Sequence, residues 1–309
     1  MRPLEWNRFH KGGGMVDRSG RHVGLVGLGL MGRGMGMSLL RAGFRLGIVA
    51  HRRRETAEEL CASGAWEAAN AAELATDCDT VVLCLPSLDT AQAVLLGPSG
   101  VSAGAGSGLL VVECSTLRPD AAVDFDRQLA ASGIAFVDAP VTRGPAEAEA
   151  GKLNALVGGR PAAVARADPV LRAFCAQVFA MGGPGQGYAA KLVNNFLAFS
   201  SLVAVSEAMA TAGRAGLHLP TLLQAISASG GQNRVLDGLT PWLAGIGEPR
   251  SRVTLATAHK DIDYYNQFAA ALGTGGPVAA QVLERLKHAL EVGLGEHFTP
   301  DYLRHVARE

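Results

Sequence analysis

The chain has 309 residues, equal numbers of Lys+Arg and Asp+Glu (28 each), and 48% hydrophobic against 18% charged residues. That length suits two regions, each able to bury a core, and the composition excludes a disordered chain. Zero net charge gives no long-range attraction to nucleic acid or an anionic membrane surface, so neither partner is expected and any bound anion must be held by a local site.

Residues 1–20 lack an apolar stretch of signal-peptide length and are expected to form a disordered extension, with Met15 an alternative start. The next region alternates short apolar runs with helical spacing. HVGLVG (22–27), LGIVA (46–50), TVVLCL (80–85), LLVVEC (109–114) and IAFVDA (134–139) are predicted strands buried on both faces. Helical patterns fall at 31–42, 54–63, 88–96 and 119–131. NALVGG (154–159) and QVFAMG (177–182) read as two further strands around a helix at 161–173, and 102–108 as a Gly/Ala-rich loop. Such alternation implies an α/β fold, a doubly wound parallel sheet of Rossmann type occupying 21–185.

Beyond Gly187 no strand-like run appears, and helical periodicity broken by Gly and Pro predicts an all-α region over 186–309. The apolar stretch 189–212 carries Lys191, Asn194, Asn195 and Glu207, which are costly in lipid, so it reads as a buried helix starting near 188. The five cysteines are scattered without a Cys-x-x-Cys pair. They suit a reducing cytoplasm and argue against a disulfide framework or zinc site. The histidines show no ligand spacing, so no metal is expected.

Directly after the first strand, Gly27, Gly29 and Gly32 have the spacing of a dinucleotide-binding turn, with Leu30 and Met31 opening the following helix. Its N–H groups and positive dipole end would face a pyrophosphate. At the tip of the second strand, AHRRRE (50–55) has no acidic residue to bind a ribose 2′-hydroxyl. Three arginines follow instead, and guanidinium groups suit a 2′-phosphate. NADP is therefore the expected cofactor, with Arg52 as main contact and His51 and Arg53 beside it. Lys191, Asn194 and Asn195, at i, i+3 and i+4, place an amine beside two amides on one helix face. Burial would lower that lysine's pKa and suit it to proton transfer.

GLGLMGRGMGMSLLRAG (27–43), DAPVTRGPAEAEAGKL (138–153), GPGQGYAAKLVNNFL (183–197) and HKD (259–261) stand in the order and spacing of one known family. From about residue 21 onward the chain resembles the β-hydroxyacid dehydrogenases, such as 3-hydroxyisobutyrate dehydrogenase and tartronate semialdehyde reductase. The resemblance implies hydride transfer between NADP(H) and a small 3-hydroxy acid, semialdehyde or oxo acid, with Lys191 as general acid/base. It implies that Asn195 orients the substrate, and that Thr142, Arg143 and Gly144 form the turn holding its carboxylate. It places Leu85 and Pro86 of CLP, Ser115 and Thr116 of ECST, and Lys260 near the nicotinamide half, with Lys260 also reaching substrate. It also implies a homodimer or homotetramer. The chain departs from the family pattern at Arg143 and Glu147, where Gly is usual, at Lys152 for Thr and at His297 for Asp. Two alternatives stand beside this reading: an imine reductase, whose lysine position usually holds another residue, and an NADP-binding scaffold without catalysis.

Overall fold

The computed structural model describes residues 22–51, 54–246 and 251–308. The expected extension at 1–20 and the candidate contacts Arg52 and Arg53 lie outside the described residues. The first part of the chain runs β1 (His22–Val26), α1 (Leu30–Arg41), β2 (Arg45–Val49), α2 (Arg54–Ala62), β3 (Trp66–Ala68), α3 (Ala71–Thr76), β4 (Thr80–Leu83) and α4 (Leu88–Leu96). It continues through α5 (Val101–Gly104), β5 (Leu110–Glu113), α6 (Pro119–Ala130), β6 (Ala135–Asp138), β7 (Val141–Thr142), α7 (Pro145–Glu149), β8 (Leu153–Gly159), α8 (Pro161–Phe174) and β9 (Cys175–Gly182). Helices then follow: α9 (Gln186–Arg214), α10 (Leu219–Ser227), α11 (Arg234–Leu243), α12 (Leu255–Ala271), α13 (Pro277–Glu291) and α14 (Pro300–Val306).

Strands β3, β2, β1, β4, β5 and β6 lie side by side and parallel. Wholly apolar runs such as TVVL are buried along their length, because helices cover both faces. The sheet departs from the all-parallel expectation at β8, which is antiparallel to both β6 and β7. β6 and β7 continue one line of pairing along β8, interrupted at Ala139–Pro140, where proline has no N–H to give. β9 pairs parallel with β8 and is largely exposed, so it is an edge strand and not another core strand. Periodicity missed the short elements β3, α3, α5, β7 and α7, and α5 occupies part of the stretch expected to be loop. Asn70 and Ser87 start α3 and α4 by accepting from the backbone N–H of Glu73 and Thr90 at 2.9 and 3.2 Å.

One apolar core lies on each face of the sheet and a third lies among the C-terminal helices. Helix α9, with 29 residues, is long and apolar enough by length and composition to cross a membrane. Its first turn instead enters the sheet's core through the fully buried Tyr188, and Leu202, Val203 and Met209 pack in the helical core. The buried-helix expectation holds for one face only, since Val193 and Leu197 are 46% and 62% exposed.

Candidate active site

The turn from β1 to α1 requires two of its three glycines. Gly27 sits at φ +101°, and a Cβ there would lie 2.1 Å from the Cys84 carbonyl oxygen. A Cβ at Gly32 would lie 1.9 Å from the Gly27 oxygen, so only glycine lets α1 come this close to β1. Gly29 is different: a Cβ there would meet nothing within 4 Å. The space over Gly29 is therefore open toward the helix N-terminus, and no side chain of Gly29 can cap the first N–H groups of α1. These residues fit the pyrophosphate of a dinucleotide.

Beyond β2, His51 is exposed at a bend. Arg54 is committed elsewhere, to Glu67 at 2.6 Å. Arg33 braces α1 against α2 and α7 through Glu59 at 2.5 Å and Glu149 at 2.9 Å.

Leu85 and Pro86 follow β4, while Ser115 and Thr116 follow β5, so the parallel pairing of these strands brings the two loops together. The Leu85 N–H donates to the Ser115 hydroxyl at 2.7 Å. Helix α12 reaches the same place: Lys260 Nζ donates to the Thr116 carbonyl at 2.8 Å and pairs with Asp261 at 2.8 Å. Asp261 is buried and its other oxygen accepts from Asn195 Nδ2 at 2.7 Å. Lys260–Asp261 is thus no ordinary surface ion pair; it joins α12 to both the sheet and α9.

Lys191 lies one turn before Asn195. Lys191 is half-buried, and desolvation, the largest influence, lowers its pKa. Asp261 opposes the shift, Lys260 reinforces it and Cys84 weakly opposes it. The amine therefore sits within electrostatic reach of α12 and of the residue just before Leu85. The neighbouring Asn194 donates to Asn195 Oδ1 at 3.1 Å, fixing the orientation of that amide.

In the turn at 141–144, the Thr142 hydroxyl accepts from Asn154 at 3.3 Å. Arg143 adopts φ +77°, a conformation that explains the usual glycine. Its guanidinium donates to the Lys152 carbonyl at 2.9 Å. Glu147 accepts from the Gly144 N–H at 3.1 Å, so this departure braces the turn.

Sequence reasoning missed three residues beneath the site: Glu113, Asp138 and Tyr188. Asp138 accepts from the backbone N–H groups of Gly185 and Tyr188, each at 2.9 Å, and so anchors the start of α9. Glu113 accepts from the Ser115 and Tyr188 hydroxyls and, at 3.1 Å, from the Ser115 N–H. Burial pushes Glu113 up to about 7 and Asp138 up to about 6, against the hydrogen bonds that favour their anions. The available signal was a carboxylate closing an otherwise apolar strand, as in LVVE and AFVD. Burial also pushes the Cys84 thiol up to about 12, which disfavours a thiolate at this site.

Comparison with known proteins agrees with this architecture. The family described as the NAD-binding domain of 6-phosphogluconate dehydrogenase matches residues 22–183. That described as NAD-binding of NADP-dependent 3-hydroxyisobutyrate dehydrogenase matches residues 185–304. The chain is 34% identical to L-threonate dehydrogenase of Cupriavidus necator, over 76% of this chain and 80% of that protein. It is 31% identical to the NAD-dependent L-serine dehydrogenase of Pseudomonas aeruginosa, over 89% of this chain and 94% of that one. A crystal structure of 3-hydroxyisobutyrate dehydrogenase from Salmonella typhimurium, 30% identical, superposes with a TM-score of 0.82 over 92% of this chain and 99% of that chain. A dinucleotide-binding sheet joined to a helical region defines the class, an NAD(P)-dependent oxidoreductase. Within that class the chain belongs to the β-hydroxyacid dehydrogenase family.

Proposed function

We propose that the protein transfers hydride reversibly between NADP(H) and a small 3-hydroxy acid, semialdehyde or oxo acid, with Lys191 as general acid/base. The observation that carries this reading is the desolvated Lys191 amine, set beside Asp261 and Lys260 at the end of the sheet where Leu85 and Ser115 meet. NADPH, when bound, supplies the hydride. Lys191 gives its proton to the carbonyl oxygen during reduction and takes the alcohol proton in reverse. Asn195 orients the reacting oxygen, while Thr142, Gly144 and Arg143 form the turn that receives the carboxylate. Gly27, Gly29, Leu30, Met31 and Gly32 hold the pyrophosphate.

The preference for NADP rests on Arg52 and Arg53, assisted by His51, as partners of the 2′-phosphate. Arg52→Asp is expected to erase that preference, read as the ratio of kcat/KM for NADPH and NADH; an unchanged ratio removes Arg52 from the assignment. The scattered cysteines, without a Cys-x-x-Cys pair, support a cytoplasmic protein, and the exposed Val193 and Leu197 support burial of α9's outer face in a homodimer or homotetramer. A panel of small oxo and hydroxy acids, scored with both cofactors, tests the activity. Lys191→Ala is expected to lower kcat about 10²–10⁴-fold while leaving NADPH binding nearly intact. Retention of most of kcat would exclude the lysine from the proton step.

A further inference from the structure

The two loops at the sheet's C-terminal end converge on one carboxyl. Glu113 closes β5, has no exposed surface, and receives three donors. Two come from Ser115, whose hydroxyl in turn accepts the Leu85 N–H at 2.7 Å. The third is the hydroxyl of Tyr188, one turn before Lys191 on α9. One side chain thereby joins the β4–α4 loop, the β5–α6 loop and the helix carrying the amine.

We propose that Glu113 is a positioning residue for hydride transfer: its carboxyl fixes the two loops that face the nicotinamide relative to the Lys191 amine. The proposal rests on the dinucleotide reading above and adds a residue to it. A purely structural role in starting α9 is already filled by Asp138, which accepts the helix's backbone N–H groups. Glu113 makes none of those contacts. Its contacts go to side chains and to the loop residue that holds Leu85, so its removal loosens spacing at the site while the helix start stays capped. A misplacement of about 1 Å at a reacting centre can cost roughly 10²-fold in rate, so small looseness matters here.

The groups facing Glu113 are Tyr188 on α9, Asp138 on β6, and Cys84 and Cys114 at the strand ends; the Lys191 charge reaches Cys84. As an anion Glu113 can accept all three donors. Once protonated it must offer a hydrogen to one of them, and the arrangement has to change. That exchange falls near pH 7, where burial has placed the carboxyl.

The test compares wild type, Glu113→Gln and Tyr188→Phe, each with NADPH bound, between pH 6 and 8.5 (roughly, the range spanning Glu113's titration). The first readout is the fluorescence lifetime of the bound reduced nicotinamide, which reports its immobilisation without turnover. Glu113→Gln is expected to bind NADPH within about threefold of wild type. Its lifetime should shorten and lack the inflection near pH 7 that is expected of wild type. Tyr188→Phe, which cuts only the tie to α9, should shorten the lifetime less, and it carries the test if the Gln variant does not fold. On any oxo acid the wild type reduces, kcat should fall about ten- to a hundredfold with KM little changed. A lifetime and pH profile unchanged in the folded variants would overturn the proposal. Wild type that binds NADPH but reduces no oxo acid would sink the reaction reading alone, leaving the lifetimes to decide the role of Glu113. Wild type that binds no nicotinamide cofactor would sink both.

Discussion

At the residue scale, the Lys191 amine is defined by competing influences. Burial and Lys260 disfavour its cationic form, while Asp261 favours it, and the balance leaves its pKa below the ordinary lysine value. Reduction needs the ammonium form, so its rate should fall as pH rises through this lowered pKa. Alcohol oxidation needs the free amine and should rise over the same range. Asp261→Asn removes the largest influence holding the proton on, so both inflections should move to lower pH. The check is a pair of kcat profiles, one for each direction, in wild type and variant. Unmoved inflections would mean that Asp261 acts only through its ties to Asn195 and Lys260. Little of this balance was legible beforehand. Lys191, Asn195 and Lys260 drew roles from their motifs, whereas Glu113 and Asp138, which open ECST and DAPVTRG, drew none and stand out otherwise only as carboxylates ending apolar strands. Their purpose depends on Tyr188, which lies far along the chain and reaches them only once α9 has docked.

At the element scale, the docking of α9 is the join on which the site depends. Its first turn passes so close to the sheet that a Cβ at Gly187 would lie 2.5 Å from the carbonyl oxygens of both Asp138 and Leu156. Backbone atoms cannot swing aside as a flexible side chain would, so Gly187→Ala should destabilise by about 1–3 kcal/mol. Gly183 lies just before the helix, and a Cβ there would meet nothing within 4 Å. Gly183→Ala is therefore the matched control and should be close to neutral. Denaturant midpoints for the two variants decide the matter, and equal shifts would show that α9 has room to retreat. The sequence pattern made the strong strands and long helices readable, because each repeats one burial period over many residues. It did not reveal β7 or α7, which are too short to show a period. It also missed the antiparallel run of β8, since direction is set by how the chain returns after Pro140 and not by any property of LNALVGG.

At the scale of the whole molecule, the buried carboxyls make stability depend on pH with an unusual sign. Glu113 and Asp138 have folded-state pKa values above their ordinary ones, about 7 and about 6. For such groups the folded state binds protons more tightly than the unfolded chain. Their contribution is fully present below the unfolded values near 4 and is lost as pH rises to about 7. Half-buried carboxylates beside arginine, such as Glu59 with Arg33, act in the opposite sense, since their pKa is lowered and their contribution is lost on acidification. Overall stability against pH mixes the two, so a difference between variants isolates the buried one. Raising Glu113 from 4.5 to about 7 amounts to a few kcal/mol, at about 1.4 kcal/mol per pKa step. Glu113→Gln keeps the volume and one acceptor but cannot ionise. Its stability relative to wild type should therefore improve steadily between pH 5 and 8, roughly the window in which wild type must deprotonate this group. Urea unfolding of the cofactor-free protein across that range gives the comparison. Parallel curves for the two proteins would mean that Glu113 keeps an ordinary pKa despite its burial, and that its three donors fully offset the loss of water.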